Sequence, residues 1–353
     1  PLVSSLFFKF YEPLARRIAN FCNITMAEVV DLTAINSDDE QQPAAPTIDL
    51  TKDSGDEQLP VKRARRDETA ADGPIKIVSW NASGILPKTG KNRDKLARLV
   101  QRLGRVDAIV IAECTIKRGE EAAARALLDG YDCYITHVQE TTPREHRGAG
   151  VAFYIRRDSI LARNGRLLPS APWDRAGMVG QYSCDVGVIV GAYLPTPTKK
   201  DAALREALDD EYPLLVKSHG HRLLCFCGDL NATLSKTLDS TKWFGGPRYT
   251  VSRTVLENCI SNLHLVDVVR NKWPATAKYT AFQSRPKKHQ YWRARPDHFL
   301  VPQGRASRVE DVVVPDGEQW VRHVSGEHYK SLDAEGELCG SDHVPIVVTM
   351  RLS

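Results

Sequence analysis

The sequence predicts an α/β (α+β) fold in which sheets are covered by helices, and three observations predict it. Short, strongly apolar runs of strand length recur through residues 74–353; an apolar pattern at helical spacing separates the first two; and polar residues capable of chemistry stand where the runs end. A strand that ends in a polar side chain delivers it to a fixed place, so the third observation also points to a cleft.

In chain order, Ile75 to Trp80 is the first strand-like run, Leu96, Leu99, Val100 and Leu103 share one helical face, and Val106 to Ala112 is a second run with the look of a buried strand. Further runs follow at Tyr131 to Val138, Val151 to Ile155, Val186 to Leu194, Leu223 to Cys227, His298 to Val301 and Val344 to Met350. Strands with helices or long loops between them favour sheets with helical cover over a helix bundle.

Residues 1–73 have a different texture. The chain opens with Pro1 and meets its first methionine at Met26, so residues 1–25 read as a presequence, with organelle targeting as one role, or as a non-native leader. Residues 26–73 are rich in Asp, Glu, Ala, Pro, Gln and Ser and poor in aromatics, a composition that cannot offset the entropy of ordering; a disordered acidic tail is expected. The tail carries a short pattern twice: Val29-Val30-Asp31-Leu32-Thr33 and Thr47-Ile48-Asp49-Leu50-Thr51, each with acidic residues downstream. Apolar residues alternating about an acidic strand suit addition to a sheet edge beside a basic groove. Both copies resemble SUMO-interacting motifs. Lys62, Arg63, Arg65 and Arg66 then form a compact basic cluster similar to a nuclear-import signal, which implies a nuclear protein; a phosphate-contacting arm is the other reading.

Charge divides along the same boundary. Residues 1–73 hold 8 Lys+Arg against 13 Asp+Glu, and the remainder holds 40 against 31. A basic body suits a polyanion, because phosphate neutralisation is the main sequence-independent contribution to nucleic-acid binding. The eight cysteines show no C-x-x-C pair, and several lie in apolar runs, so they read as small buried hydrophobes of a reducing compartment. No stretch approaches the length needed to cross a bilayer, and no membrane partner is expected.

The polar residues at run ends form an ordered series. Asn81 follows the first run and Glu113 the next; Tyr193 lies in Gly191-Ala192-Tyr193-Leu194-Pro195; Asp229 and Asn231 lie in Gly228-Asp229-Leu230-Asn231; Asp297 lies in Arg295-Pro296-Asp297; and Ser341-Asp342-His343 precedes the last run. In this order they resemble the endonuclease/exonuclease/phosphatase superfamily and, within it, the exonuclease III family of AP endonuclease-like enzymes. Leu263 to Val269, Tyr279-Thr280, Arg295-x-Asp297 and Tyr193-Leu194-Pro195 are similar to the DNA-repair branch.

The resemblance, which spans Ile75 to the C-terminus, implies a four-layered αββα sandwich of two packed mixed sheets flanked by helices, with the site at one end. It implies a Mg²⁺-dependent phosphodiesterase, with Mn²⁺ as a substitute, that hydrolyses nucleic acid by direct attack of water. Damaged duplex DNA is the expected partner, and the working form is a monomer. Glu113, Asp342 and Asn81 are the candidate metal residues, since Mg²⁺ favours hard oxygen donors. Asp229 is the candidate general base, Asn231 would orient water or phosphate, and Asp297 would hold His343 protonated as a donor to a non-bridging oxygen, with Tyr193 as a second donor. His343 as base is the alternative. Lys287, Lys288, Tyr291, Trp292, Arg293 and Arg295 interleave basic and aromatic groups as a nucleic-acid-contacting loop does.

The chain departs from the family pattern at four places. Ser83 stands where the family has an acidic residue, Ala112 where it has Gln, Thr196 where repair enzymes have Asn, and Ala281 where an aromatic lines the pocket for an extruded abasic sugar. The first bears on metal number, the next two on phosphate positioning and the last on abasic specificity. Two further functions therefore stand beside the leading one: a tyrosyl-DNA phosphodiesterase of the same fold, and a SUMO-binding adaptor whose nuclease domain has lost activity.

Overall fold

The computed structural model describes residues 73–86, 95–137, 150–169, 178–194, 213–241, 247–285, 290–315, 321–323, 329–331 and 341–352. The SUMO-like motifs, the basic cluster at Lys62 to Arg66, Thr196, Lys287 and Lys288 lie outside these residues.

Two six-stranded sheets carry the fold. The first contains β1 (Ile75–Asn81), β2 (Ala108–Ala112), β3 (Tyr131–Thr136), β4 (Val151–Arg156), β13 (Val309–Val313) and β16 (Ile346–Met350), in the order β13-β16-β1-β2-β4-β3. The second contains β5 (Arg166–Leu167), β6 (Val179–Cys184), β7 (Gly187–Tyr193), β8 (Leu223–Asp229), β9 (Leu265–Asp267) and β12 (Asp297–Pro302), in the order β5-β6-β7-β8-β12-β9. Both are mixed: β1 runs parallel to β2 and β7 to β8, while their remaining pairings are antiparallel. Two hairpins complete the described strands, β10 (Ala281–Arg285) with β11 (Gln290–Ala294) and β14 (Val321–His323) with β15 (Tyr329–Ser331).

Both faces of the central strands are buried, which explains why they read as continuous apolar runs rather than alternating ones. The sheets pack face to face through Ile109, Phe153, Ile189, Cys225, Cys227 and Phe299, all in one core. Glycine permits the close approach: a Cβ on Gly191 would lie 2.6 Å from Val110 and 2.7 Å from Val151 of the opposite sheet. A second core on the outer face of the second sheet joins Val188, Val190, Phe226 and Leu300 to Val216, Leu256 and Cys259 from helices 213–219 and Pro247–Asn262. On the first sheet, Leu96 and Leu99 of helix Lys95–Leu103 join the inner core and Tyr154 donates to Ala124 O of helix Glu121–Arg125. The result is the expected αββα sandwich.

The run boundaries shift slightly. The last run begins as a strand only at Ile346, because Pro345 has no N–H for a ladder and Val344 N instead bonds Thr280 O. Thr136 ends β3 two residues early, its hydroxyl and the Val151 N–H closing the pair. Burial pushes the thiol of Cys114 up to about 12 and that of Cys133 to about 11, which leaves both inert as nucleophiles. Among the described residues no helix is long and apolar enough to cross a membrane.

Candidate active site

Strand register gathers the polar run ends at one edge of the sandwich. The parallel β1–β2 pair sets Asn81 opposite Ala112, so that Glu113 lies one residue beyond. The parallel β7–β8 pair sets Tyr193 opposite Asp229, and antiparallel β12 sets Asp297 opposite the same Asp229. Asp342 and His343 enter from the first sheet just before β16. Gly228 allows Asp229 its place, because a Cβ there would fall 1.9 Å from Ala192 O.

At the centre, His343 Nδ1 is 2.7 Å from Asp297 Oδ2, and both residues are buried. Burial alone would lower the imidazole pKa. The charge of Asp297 and its hydrogen bond outweigh that, Asp342 and Asp229 add to them, and His343 is held well above its ordinary value. Asp342 Oδ1 lies 3.8 Å from His343 Nε2 on the more open side. Asp297 Oδ2 also accepts from Thr280 Oγ1 at 2.6 Å, while its buried Oδ1 has no hydrogen-bond partner.

Asp229 is held by three donors. Its Oδ2 accepts from Asn81 Nδ2 at 2.8 Å and Asn231 Nδ2 at 3.3 Å, and its Oδ1 accepts from Asn231 N at 2.8 Å. Burial, then the negative charge of Asp297, pushes its pKa up to about 7. Asn81 donates as well to Glu113 Oε2 at 3.1 Å, so that its one amide nitrogen links Glu113 of the first sheet to Asp229 of the second. Burial raises Glu113 above the usual carboxylate range; the Asn81 hydrogen bond and the charge of His343 oppose it, and Asp342 reinforces it. Glu113, Asp342 and His343 therefore share one field.

The backbone around these groups is strained. Ser83, Glu113 and Asn231 have φ of 48°, 53° and 46°, a region that costs a side-chain-bearing residue about 1–3 kcal/mol and persists where surrounding bonds impose it. Those bonds are present: Ser83 N to Asn81 Oδ1, Gly84 N to Glu113 O and Asn231 Nδ2 to Leu194 O. Ser341 Oγ donates to Asn81 O and accepts from His343 N, and Trp80 Nε1 donates to His343 O. Lys95 Nζ caps Ala82 O and Gly84 O from within the fold.

The donor set fits a hard divalent cation. Asp229, Asp297 and His343 bring ligand atoms within 4.8 Å of one another. Chemistry favours the neighbouring carboxylates as the holders, because His343 is committed to Asp297 and favours its protonated form, whereas half-buried Glu113 and Asp342 offer oxygen beside it. Asn81 is not placed as the expected ligand: its amide nitrogen faces the two carboxylates and its oxygen accepts from Ser83 N.

Arg295 also departs from expectation. Read as a nucleic-acid contact, it is fully buried, paired with Asp239 Oδ1 at 2.9 Å and Asp267 Oδ2 at 2.7 Å. A guanidinium so enclosed serves the fold. Arg293 is half-buried on β11, and Tyr291 and Trp292 lie on the same strand.

Thr280 is the site residue that sequence reasoning did not single out. It appeared only as a branch marker, and nothing local shows that its hydroxyl meets Asp297. Replacing it by Val removes one of two donors on that oxygen, a charge-assisted bond worth about 1.5–3 kcal/mol. We expect Thr280→Val to lose stability on that scale, measured by denaturant titration beside wild type.

Residues 78–343 match the model of the Endonuclease/Exonuclease/phosphatase family. No curated protein sequence matches the chain. Among solved structures, a 3'-5' exonuclease (NExo) from Neisseria meningitidis is 22% identical with a TM-score of 0.56, covering 78% of this chain and 99% of that one. The AP endonuclease LMAP from Leishmania major is 20% identical with a TM-score of 0.55, covering 81% and 91%. An AP endonuclease from Archaeoglobus fulgidus is 17% identical with a TM-score of 0.57, covering 78% and 99%.

Proposed function

Because this chain belongs to the endonuclease/exonuclease/phosphatase family, we propose that it is a Mg²⁺-dependent phosphodiesterase that hydrolyses nucleic-acid backbones, with Mn²⁺ as a substitute. Its role on this reading is that of an AP endonuclease or 3′-repair nuclease on damaged duplex DNA. The observation that carries the reading is the pairing of Asp229, at a pKa of about 7, with a cationic His343 beside it. A carboxyl group held beside an imidazolium lets the two divide into base and donor.

A phosphodiester resists water because negative charge builds on its oxygens as the attacking oxygen arrives. Asp229 takes the proton of the attacking water, with Asn81 and Asn231 fixing the direction of its carboxylate. Asn231 acts through Asp229 in this arrangement. His343 donates to a non-bridging oxygen, and Asp297, steadied by Thr280, keeps the imidazole charged and oriented. Tyr193, on the same face as Asp229 by register, adds a phenolic donor. Glu113 and Asp342 would hold the divalent cation, which supplies neutralising charge for the phosphate and a more acidic water.

The leader extends the proposal: its two SUMO-like motifs and basic cluster fit a nuclear enzyme recruited by SUMO-modified proteins. One observation favours a second substrate. Ala281, small and buried, bridges directly to His343 and pairs with Ala294, so neither position puts a bulky wall there, which suits a larger group such as a 5′-tyrosyl end.

The test is a set of duplexes carrying one tetrahydrofuran site, a 5′-tyrosyl end or no lesion, each with Mg²⁺ or EDTA, with product length read on a gel. Cleavage at the tetrahydrofuran site that requires Mg²⁺ is expected. Preference for the tyrosyl end would transfer the assignment to the second substrate, and no cleavage of any duplex would leave a DNA-binding adaptor.

A further inference from the structure

Two turns of the same construction flank the catalytic hollow. Glu113 follows β2 of the first sheet and Asn231 follows β8 of the second, and four residues beyond each the chain closes on itself, at residues 117–120 and 235–239. In the first turn Lys117 N donates to Glu120 Oε2 at 2.8 Å and Glu120 N to Lys117 O at 3.1 Å. In the second, Ser235 N donates to Asp239 Oδ2 at 2.8 Å and Asp239 N to Ser235 O at 3.0 Å. An acid therefore locks each turn from within. Both are also rooted in the fold: Ile116 lies in the core between the sheets, while Leu234 packs on the outer core of the second sheet and Arg270 and Arg295 hold Asp239.

The turns present basic groups to solvent. Lys117 and Arg118 are exposed on one, Lys236 beside Thr237 on the other. The acids nearby are occupied, Glu120 and Asp239 in closing the turns and Glu121 with His137 Nε2 at 3.1 Å. Among the described residues no carboxylate pairs with Lys117, Arg118 or Lys236. Cations carried on a turn already closed leave little backbone freedom to be lost on binding an anion. Stacked sheets lie about 10 Å apart, and the grooves of a duplex are about 6–12 Å wide. Turns rooted in different sheets therefore suit the two backbones that border a groove.

We propose that these two turns are a clamp for a nucleic-acid duplex, with Lys117 and Arg118 taking phosphates of one strand and Lys236 a phosphate of the other, on opposite sides of the catalytic hollow. Phosphate contacts fix position and orientation without reading sequence, so the clamp sets which backbone lies over the hollow and favours duplex over single strand. It rests on the phosphodiesterase reading for its substrate, but its predictions concern binding without metal.

The experiment is fluorescence anisotropy in EDTA across a salt series, with one labelled strand offered alone and in its duplex. On the duplex, Lys236→Gln is expected to flatten the slope of log affinity against log salt by about 1, Lys117→Gln with Arg118→Gln by about 2, and all three together by about 3. The charge-retaining Lys236→Arg keeps the wild-type slope, and so does Lys217→Gln, on helix 213–219 before the start of β8 and so at the other end of the sandwich. On the single strand, all three together flatten the slope no more than the first pair alone. Unaltered duplex slopes, or a loss from Lys217→Gln equal to that from Lys236→Gln, would overturn the clamp, and full additivity on the single strand would overturn the assignment of the turns to different strands. In parallel, Mg²⁺-dependent hydrolysis of bis(p-nitrophenyl) phosphate, which has no flanking nucleotide, is expected to stay within about twofold of wild type in every variant. A chain whose duplex slopes respond as predicted yet which hydrolyses neither the small diester nor any duplex would overturn the catalytic reading and leave the clamp standing.

Discussion

Asp229→Asn is expected to lower kcat by about 10²–10⁴-fold, the usual range for loss of a general base, while leaving the metal-free protein more stable than wild type at pH 8. The stability gain follows from proton linkage. The carboxyl of Asp229, ordinarily near 3.8, is pushed up to about 7 in the folded chain. Between those limits the folded state binds the proton more tightly than the unfolded state, so stability declines as pH rises from about 4 to about 7 and is level above. Roughly three pKa units correspond to about 4 kcal/mol. The expected gain is smaller, about 2 kcal/mol, because the Asn amide must turn its NH₂ toward donors that now meet a carboxylate oxygen and leaves His343 with one counter-charge fewer. His343→Ala is expected to lose about 10²–10³-fold in kcat, the scale for a lost donor to developing charge. Denaturant titration in EDTA at pH 5 and pH 8, beside steady-state kinetics, checks both. An Asp229→Asn protein with near-wild-type turnover would remove it as base, and one less stable at pH 8 would contradict its strained protonation.

The second large effect is on the fold. Arg295→Met is expected to cost about 3 kcal/mol, because it takes from buried Asp267 its arginine and leaves buried Asp239 with Arg270 alone. Burial alone would raise both carboxylates, but Arg295 overrides it and holds them below the usual range. Their contribution to stability is therefore complete above about pH 4 and is lost as pH falls below it. The gap between wild type and Arg295→Met should accordingly narrow in acid. The network also braces the site: Arg295 N bonds Asp239 O, and His298 Nε2 lies 2.9 Å from Ala232 O, tying the segment after Asn231 to β12. Equilibrium unfolding at pH 7 and pH 3.5 measures the gap. If Arg295→Met unfolded like wild type and instead flattened the salt dependence of DNA binding, the nucleic-acid role first read from the sequence would be restored.

That residue marks where the sequence stopped being legible. Among Tyr291, Trp292 and Arg293, Arg295 looks like one more basic group on a loop, and only partners 56 and 28 positions away show that it is interior. Asp239 carried no local signal either, an acid in a polar stretch, and Asp267 stood out only as part of Leu263 to Val269, with nothing local to show its partner. The catalytic series was legible for the opposite reason. Asn81, Glu113, Asp229 and Asp297 each terminate or open an apolar run, and a strand end is a place that register alone can bring to a common edge. Strand β6 escaped notice because Gly180, Gln181 and Ser183 interrupt its apolar pattern, although every residue is buried. The β10–β11 hairpin was read as a loop because its basic and aromatic residues suggest solvent, whereas Ala281, Phe282 and Ala294 pack inward.

The origin of the new oxygen is the most direct test of a water-attacking phosphodiesterase. A single turnover on the tetrahydrofuran duplex in H₂¹⁸O with Mg²⁺, followed by mass spectrometry of the phosphate-bearing product, is predicted to show one ¹⁸O on that phosphate. Product formed in that turnover with no ¹⁸O on phosphorus would mean that a protein oxygen or another nucleophile attacked, and would contradict the role given to Asp229.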